Sequence, residues 1–214
     1  MTVYKGSQKI KDIYFGKTKI GKIYKGSQLL YTSLAYPLDT VVFEKTTAGT
    51  YSVALEKGKY EVYCIAGGGG GWGRRSMSSA QASGGGSGSG FIGQIVISKG
   101  NYEIIVGSGG SSGFDSGGSG GNSTIGSIVK TFGGSGSGNY PAGGAAPSVT
   151  ASIIATTLNK AGNGGSHKTS TLGSTSAAGG ASLYNGYGAG GSGSAPTGSR
   201  PGSSGYVKIV YKGN

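Results

Sequence analysis

The side chains best suited to contact a ligand are single aromatic and cationic residues set inside blocks of glycine and serine. They are Trp72, Arg74, Arg75, Tyr140, His167, Lys168, Tyr184, Tyr187 and Arg200. Aromatic rings can stack on sugars or fill apolar depressions, and an arginine can bind a phosphate or carboxylate through two parallel hydrogen bonds. The pattern predicts a binding surface at turns within the blocks. For Trp72 and Tyr184, the alternative is a ring that fills space between loops.

The same residues offer little for catalysis. His167 is the only histidine, so a Ser/His/Asp triad would have to include it, and Cys64 is the only cysteine. Cys64 lies in an alternating apolar pattern, where a thiolate is costly. The pattern GxGxxG begins at positions that include Gly68, Gly88 and Gly186, but never at a strand-to-helix turn, and the sequence has no GxxxxGK(S/T). We therefore expect no enzyme activity, no cofactor and no metal site.

Composition points to architecture and to an anionic partner. Glycine occupies 49 of 214 positions and only 35% of the residues are apolar, so the hydrophobic core must be thin. The net charge of +12 favours polyanions such as lipopolysaccharide, teichoic acid or nucleic acid. A basic glycine-rich nucleic-acid binder is one alternative, although the sequence has no RGG repeat. A structural cell-wall or ice-binding glycine-rich protein is another. No apolar stretch is long enough to cross a bilayer, so we expect no membrane insertion.

Residues 1–36 form a separate N-terminal segment with a ten-residue repeat, in units 3–12, 13–22 and 23–32. Tyr4, Tyr14 and Tyr24 align in this repeat, and each unit is typical of a strand, a glycine turn and a second strand. Ten residues cannot bury a core, so the units must stack on each other, on the rest of the chain or on other copies. We favour a homotrimeric stalk, and the alternative is a small β-meander packed on the second domain.

Residues 37–214 are predicted to be a β-sandwich. Its strands are expected at 41–45, 50–55, 59–66, 91–98, 102–106, 124–125, 128–132 and 206–211. Residues 148–158 could form a strand or a short helix, and their β-branched side chains favour a strand. If successive strands alternate in direction, each glycine-rich block leaves the sandwich at the same end. The blocks would together form a tip.

Glycine suits such a tip because it can form a threefold polyproline-II-type helix, here called polyglycine II. Without Cβ atoms these helices can lie side by side and exchange backbone hydrogen bonds in all directions. The fold class predicted is therefore all-β, with an N-terminal β-repeat, a β-sandwich and a polyglycine-II bundle at one end. The alternative is a disordered glycine-serine tract, since ordering glycine is costly in entropy. Regular strands on both sides of each block, and a tryptophan inside one, argue against a tract of that kind.

From about residue 41 to residue 214 the sequence resembles the glycine-rich tail-fibre tips and receptor-binding adhesins of bacteriophages. The resemblance rests on TAGTYSVALEKGKYEVYCIAGGGGGWG, on the repeated return from glycine to short apolar strands, and on the closing GSSGYVKIVY. It implies a rigid polyglycine sandwich whose distal turns bind an outer-membrane protein or a surface glycan of the host. It also implies a place at the distal tail fibre of a virion, synthesis in the host cytoplasm without a signal peptide, and contacts with other fibre or baseplate proteins.

Overall fold

The computed structural model describes residues 35–75, 79–136, 141–171, 174–195 and 198–214, together with six short strands between residues 4 and 32. Within these residues the secondary structure is β throughout, without a helix. The all-β prediction is therefore confirmed.

The six N-terminal strands pair as three antiparallel hairpins, one in each repeat unit. They are β1 (Tyr4–Lys5) with β2 (Gln8–Lys9), β3 (Ile13–Phe15) with β4 (Thr18–Ile20), and β5 (Lys22–Lys25) with β6 (Gln28–Thr32). The two strands predicted in each unit are therefore confirmed, with β5 beginning at Lys22, the last residue of the predicted second unit. The predicted glycine turns at residues 6–7, 16–17 and 26–27 lie outside the described residues. The predicted trimer stays a prediction.

Two five-stranded antiparallel sheets form the sandwich. One has the strand order β17 (Ile153–Lys160), β12 (Gly90–Ile97), β9 (Gly58–Ile65), β21 (Tyr206–Gly213) and β7 (Val41–Lys45). The other has the order β16 (Ser148–Val149), β15 (Val129–Thr131), β14 (Ser123–Ile125), β13 (Gly100–Val106) and β8 (Gly49–Leu55). The segment predicted at 148–158 is thus two strands, one in each sheet.

The side chains between the two sheets make a thin apolar core, as the composition requires. Tyr60, Val62 and Cys64 alternate along β9 and are fully buried, and they belong to one cluster with Ile104 and Ile125 of the other sheet. This alternation confirms the half-buried strand predicted for residues 59–66.

Burial at Cys64 leads to a testable prediction about thiol reactivity. Desolvation raises the pKa of the Cys64 thiol to about 12, and the Thr131 hydroxyl lies 3.5 Å from the sulfur. Because only the thiolate is nucleophilic, we expect iodoacetamide at about pH 8 to leave the folded protein unmodified. The urea-unfolded chain should react readily, and mass spectrometry measures both. Equal labelling of the two states would contradict the burial of this side chain.

Ten glycine-rich segments extend from the sandwich in the described residues. We number them I to X along the chain: 66–71, 84–89, 107–113, 116–121, 132–136, 141–144, 161–166, 178–180, 188–192 and 198–205. The odd-numbered segments lead away from the sheets and the even-numbered ones return. The described residues that connect an odd segment to the next even one therefore lie at the far end of the bundle, which we call the distal end.

Segment I has hydrogen bonds with a period of three residues. The amides of Gly67 and Gly70 donate to carbonyls of segment IV, and those of Gly68 and Gly71 donate to segment X. The amide of Gly69 donates to segment II, and the donor–acceptor distances of these bonds are 2.8–3.0 Å. A period of three is that of a polyproline-II-type helix, so the predicted polyglycine-II conformation agrees with the observed bonding.

Segments I and II occupy the centre of the bundle, each with six hydrogen-bonded neighbours. Segment I donates to II, IV and X and accepts from III, V and IX. Segment II donates to V, VII and IX and accepts from I, VI and VIII. The other eight segments are bonded in a closed ring in the order V, IV, III, X, IX, VIII, VII, VI. This is hexagonal packing of rods, with two rods inside and eight around them.

The packing leaves no room for side chains between segments. A Cβ atom on Gly69 would lie 2.1 Å from the carbonyl oxygen of Ser135, and one on Gly85 would lie 2.1 Å from that of Gly69. Serine occurs inside the bundle where its hydroxyl oxygen accepts a hydrogen bond in place of a backbone carbonyl. The Ser87 and Ser89 side chains in segment II are fully buried and accept the amides of Asn163 and Phe132 at 2.7 and 2.8 Å.

Candidate functional site at the distal end

The distal end contains short strands that the sequence patterns did not predict. A three-stranded antiparallel sheet has the order β10 (Trp72–Arg75), β11 (Ala80–Ser83) and β18 (His167–Ser170), and beside it lies the pair β19 (Thr175–Ala177) and β20 (Gly193–Ala195). These strands continue segments I, II, VII, VIII and IX. Because the bundle holds neighbouring segments at hydrogen-bonding distance, the residues that continue these segments pair as strands.

The bundle carries its charged side chains at the distal end. Residues 66–90, 107–122, 132–147 and 161–205 include five charged residues, namely Arg74, Arg75, Asp115, Lys168 and Arg200. The amide of Gly71 donates to the carbonyl of Arg200, which places this residue at the last level of segment I. The shaft between the sandwich and this level is therefore uncharged, and the distal end has four cations and one carboxylate.

Three of the sequence-predicted cations are exposed there. The Arg74 side chain is 61% exposed and lies 3.6 Å from the Asp115 carboxylate, which is 67% exposed. Lys168 and Arg200 are exposed and have no ion-pair partner among the described residues. Because the one ion pair is solvent-exposed, it neutralises Arg74 only weakly. The side chain of Arg75 and the whole of Tyr140 lie outside the described residues.

Trp72 and His167 lie on the same face of the three-stranded sheet. Trp72 pairs in register with Ser83, and Ser83 pairs in register with His167. The indole and imidazole ring centroids are 6.0 Å apart, and Trp72 is 6% exposed. Trp72 Nε1 and His167 Nδ1 are both buried and have no hydrogen-bond partner among the described residues. The prediction that Trp72 could be a packing residue agrees with its burial, but its polar nitrogen is unsatisfied.

Tyr184 and Tyr187 lie at the opposite end of the bundle from the other predicted site residues. They flank Asn185 and Gly186, whose φ values of 45° and 82° form a type I′ turn between segments VIII and IX next to the sheets. Both rings stack on Tyr206, with centroids 5.8 and 4.6 Å away. Their stacking therefore packs the turn against the sandwich, and neither tyrosine lies at the distal end.

Phe114 and Asp115 are distal residues that the sequence reasoning missed. They form the connection between segments III and IV, and Phe114 is 59% exposed. The alternating direction of the strands had already placed this connection at the far end, so the signal was present in the sequence.

No group of three or more His, Cys, Asp or Glu that could hold a metal ion is found among the described residues. In the same part of the chain, no helix is long and apolar enough to cross a lipid bilayer.

Comparison with known proteins gives a family for most of the chain. No curated protein matches the sequence. A family model described as a glycine-rich domain matches residues 45–214, which include both sheets of the sandwich except most of β7, and all ten segments. The chain therefore belongs to the glycine-rich domain family.

Proposed function

We propose that this protein is a phage tail-fibre tip or adhesin that recognises a bacterial surface receptor through its distal end. The observation that carries the proposal is the separation of charge along the bundle. A shaft without charged side chains presents Arg74, Lys168 and Arg200 at the end farthest from the sandwich. Because the backbone that carries these cations is already held by hydrogen bonds, binding an anionic surface has to order only their side chains.

The opposite end of the sandwich supports this orientation. The amide of Asp39 donates to the carbonyl of Tyr211 at 2.9 Å, and the amide of Ala35 donates to the Tyr211 hydroxyl at 3.3 Å. Tyr211 lies near the end of β21 that is remote from segment X. The N-terminal repeat thus joins the sandwich at the end opposite the cations.

The proposed role of the N-terminal repeat is attachment to the rest of a fibre, with three copies side by side. Each of its hairpins has strands of two to five residues. Isolated two-stranded hairpins are marginally stable in water, so association with other copies or with fibre or baseplate proteins would give them a core.

The test is adsorption to bacteria by a variant without the distal cations. We expect Arg74→Ala, Lys168→Ala and Arg200→Ala together to reduce the fraction of labelled protein bound to susceptible cells about tenfold or more. The thermal unfolding midpoint should not change, since all three side chains are exposed. The matched control removes three exposed cations of the sandwich, Lys57, Lys59 and Lys99, and should adsorb normally.

Two outcomes would contradict the proposal. Normal adsorption of the distal variant would remove the distal end from the receptor contact. Failure of the unaltered protein to bind any bacterial strain, together with DNA binding that persists at moderate salt, would favour the nucleic-acid alternative.

A further inference from the structure

We propose that Trp72, His167 and Arg74 form a binding site for an oxyanion carried on a saccharide, a phosphate or carboxylate attached to a sugar ring. This inference names the ligand chemistry of the distal end, and it rests on the proposed function. It starts from the unsatisfied nitrogens of Trp72 and His167.

A buried donor without an acceptor is costly, and such groups are rare in folded proteins. The Trp72 indole nitrogen is a donor only, and the Nδ1 atom of His167 can carry a hydrogen as well. The two rings approach to 6.0 Å across the strand between them, and both nitrogens are closed to solvent in the free protein, so a ligand oxygen reaches them only when the rings turn aside. An oxygen atom with several lone pairs would satisfy both nitrogens.

The register of the sheet adds a cation to this pair. Arg74 is two residues beyond Trp72 on β10, so its side chain lies on the same face about 7 Å along the strand. Its guanidinium is 61% exposed and has only the exposed Asp115 carboxylate beside it. An arginine in this position can bind two oxygens of a phosphate ester while the third accepts from the ring nitrogens, and a carboxylate can place one oxygen at the guanidinium and the other at the ring nitrogens.

The surroundings favour a sugar over a protein surface as the carrier of the anion. Exposed hydroxyl-bearing residues border the site, including Thr169 and Thr171, and Gln81 is half-buried on the same face as Arg74. Phe114 is the one exposed large apolar side chain in the described part of the distal end. Protein interfaces depend on a cluster of buried aromatic and aliphatic anchors, whereas one aromatic ring with cations and hydroxyls suits a charged saccharide.

Nucleic acid fits these residues less well. Binding of single strands uses a cationic groove that follows many phosphates, with several aromatic platforms. Within the bundle the cations are confined to the distal end, and the shaft that would continue the groove is uncharged.

The experiment uses the indole signal of Trp72, which is unambiguous because the chain has one tryptophan. In proton–nitrogen correlation spectra of the full chain, glucose 6-phosphate should shift the indole resonance in a saturable way at constant ionic strength. Glucuronate tests the carboxylate as the anion. Glucose should leave the resonance in place, and inorganic phosphate should bind more weakly than the sugar phosphate.

Single substitutions then test the assignment. Arg74→Gln and His167→Gln should each weaken the binding of glucose 6-phosphate about tenfold. Lys99→Gln removes one exposed cation of the sandwich and should not change the affinity. Because Arg74 is exposed, its variant is expected to fold normally, which circular dichroism checks.

Several results would overturn the inference. One is an indole resonance that neither anion moves, and another is an affinity that Arg74→Gln does not change. Equal binding of inorganic phosphate and glucose 6-phosphate would remove the sugar from the assignment, and tighter binding of a short single-stranded DNA would replace it with nucleic acid.

If bacteria still adsorb while the resonance stays fixed, this inference fails and the proposed function stands. If the resonance shifts but no strain is bound, the proposed function fails and the oxyanion site stands.

Discussion

Gly69→Ala should destabilise the protein by about 4 kcal/mol or prevent folding altogether. The new methyl group would lie 2.1 Å from the carbonyl oxygen of Ser135, inside a segment that has neighbours on all six sides. To make room, segment I would have to separate from segment V, and the hydrogen bond from Gly69 to the Gly86 carbonyl, 2.8 Å long, would be strained. Backbone cannot move aside in the way that a flexible side chain can. Urea unfolding followed by circular dichroism measures the change.

The control for Gly69→Ala is the same substitution in a strand. A Cβ atom on Gly100 would be 3.6 Å from the Tyr102 ring, which is ordinary van der Waals contact. Gly100→Ala should therefore change the free energy of unfolding by less than about 0.5 kcal/mol. If the two variants were equally stable, the close contact between segments I and V would be contradicted.

Amide hydrogen exchange should be slow throughout the two central segments, with protection of about 10⁴ or more for Gly67 to Gly71 and for the amides of segment II. Each of these amides has a backbone acceptor, and the surrounding ring excludes water from them. Their opening requires the bundle to unfold, so their exchange should follow global stability. A glycine-serine linker would exchange within seconds.

An internal comparison is available in the same spectrum. Gly186 lies in the tight turn between segments VIII and IX, with open space around it, and its amide should exchange much faster than that of Gly69. Fast exchange at both positions would contradict the packed bundle.

The direction of the chain could be predicted from the sequence because strands and turns leave local signals. The alternation of Tyr60, Val62 and Cys64 marks β9, and short turns mark the hairpins, so counting strands placed the glycine blocks at one end. The same counting would have placed Asn185 and Gly186 beside the sheets, since the Asn-Gly pair is a strong signal for a tight turn. The prediction of Tyr184 and Tyr187 as site residues rests on residue type alone, which says nothing about the end of the bundle on which they lie.

The distal strands could not be predicted from local patterns. Residues such as Gly73, Ala80 and Ala82 lack the β-branched and aromatic side chains that mark a strand. They pair because segments I, II and VII bring three chains side by side. Likewise, the contact of Trp72 with His167 joins residues 95 positions apart and depends on the register of two strand pairs.

By itself, the amino-acid sequence determined an all-β chain, a three-unit N-terminal repeat, the sandwich strands and the need for glycine in a backbone-packed bundle. These features follow from short-range periodicity and from the absence of Cβ atoms. Only the tertiary structure decided which segments are central, which residues meet at the distal end and which nitrogens there lack a partner. Hydrogen bonds between polyglycine segments are alike along the chain, so their partners are chosen by the packing of all ten segments together.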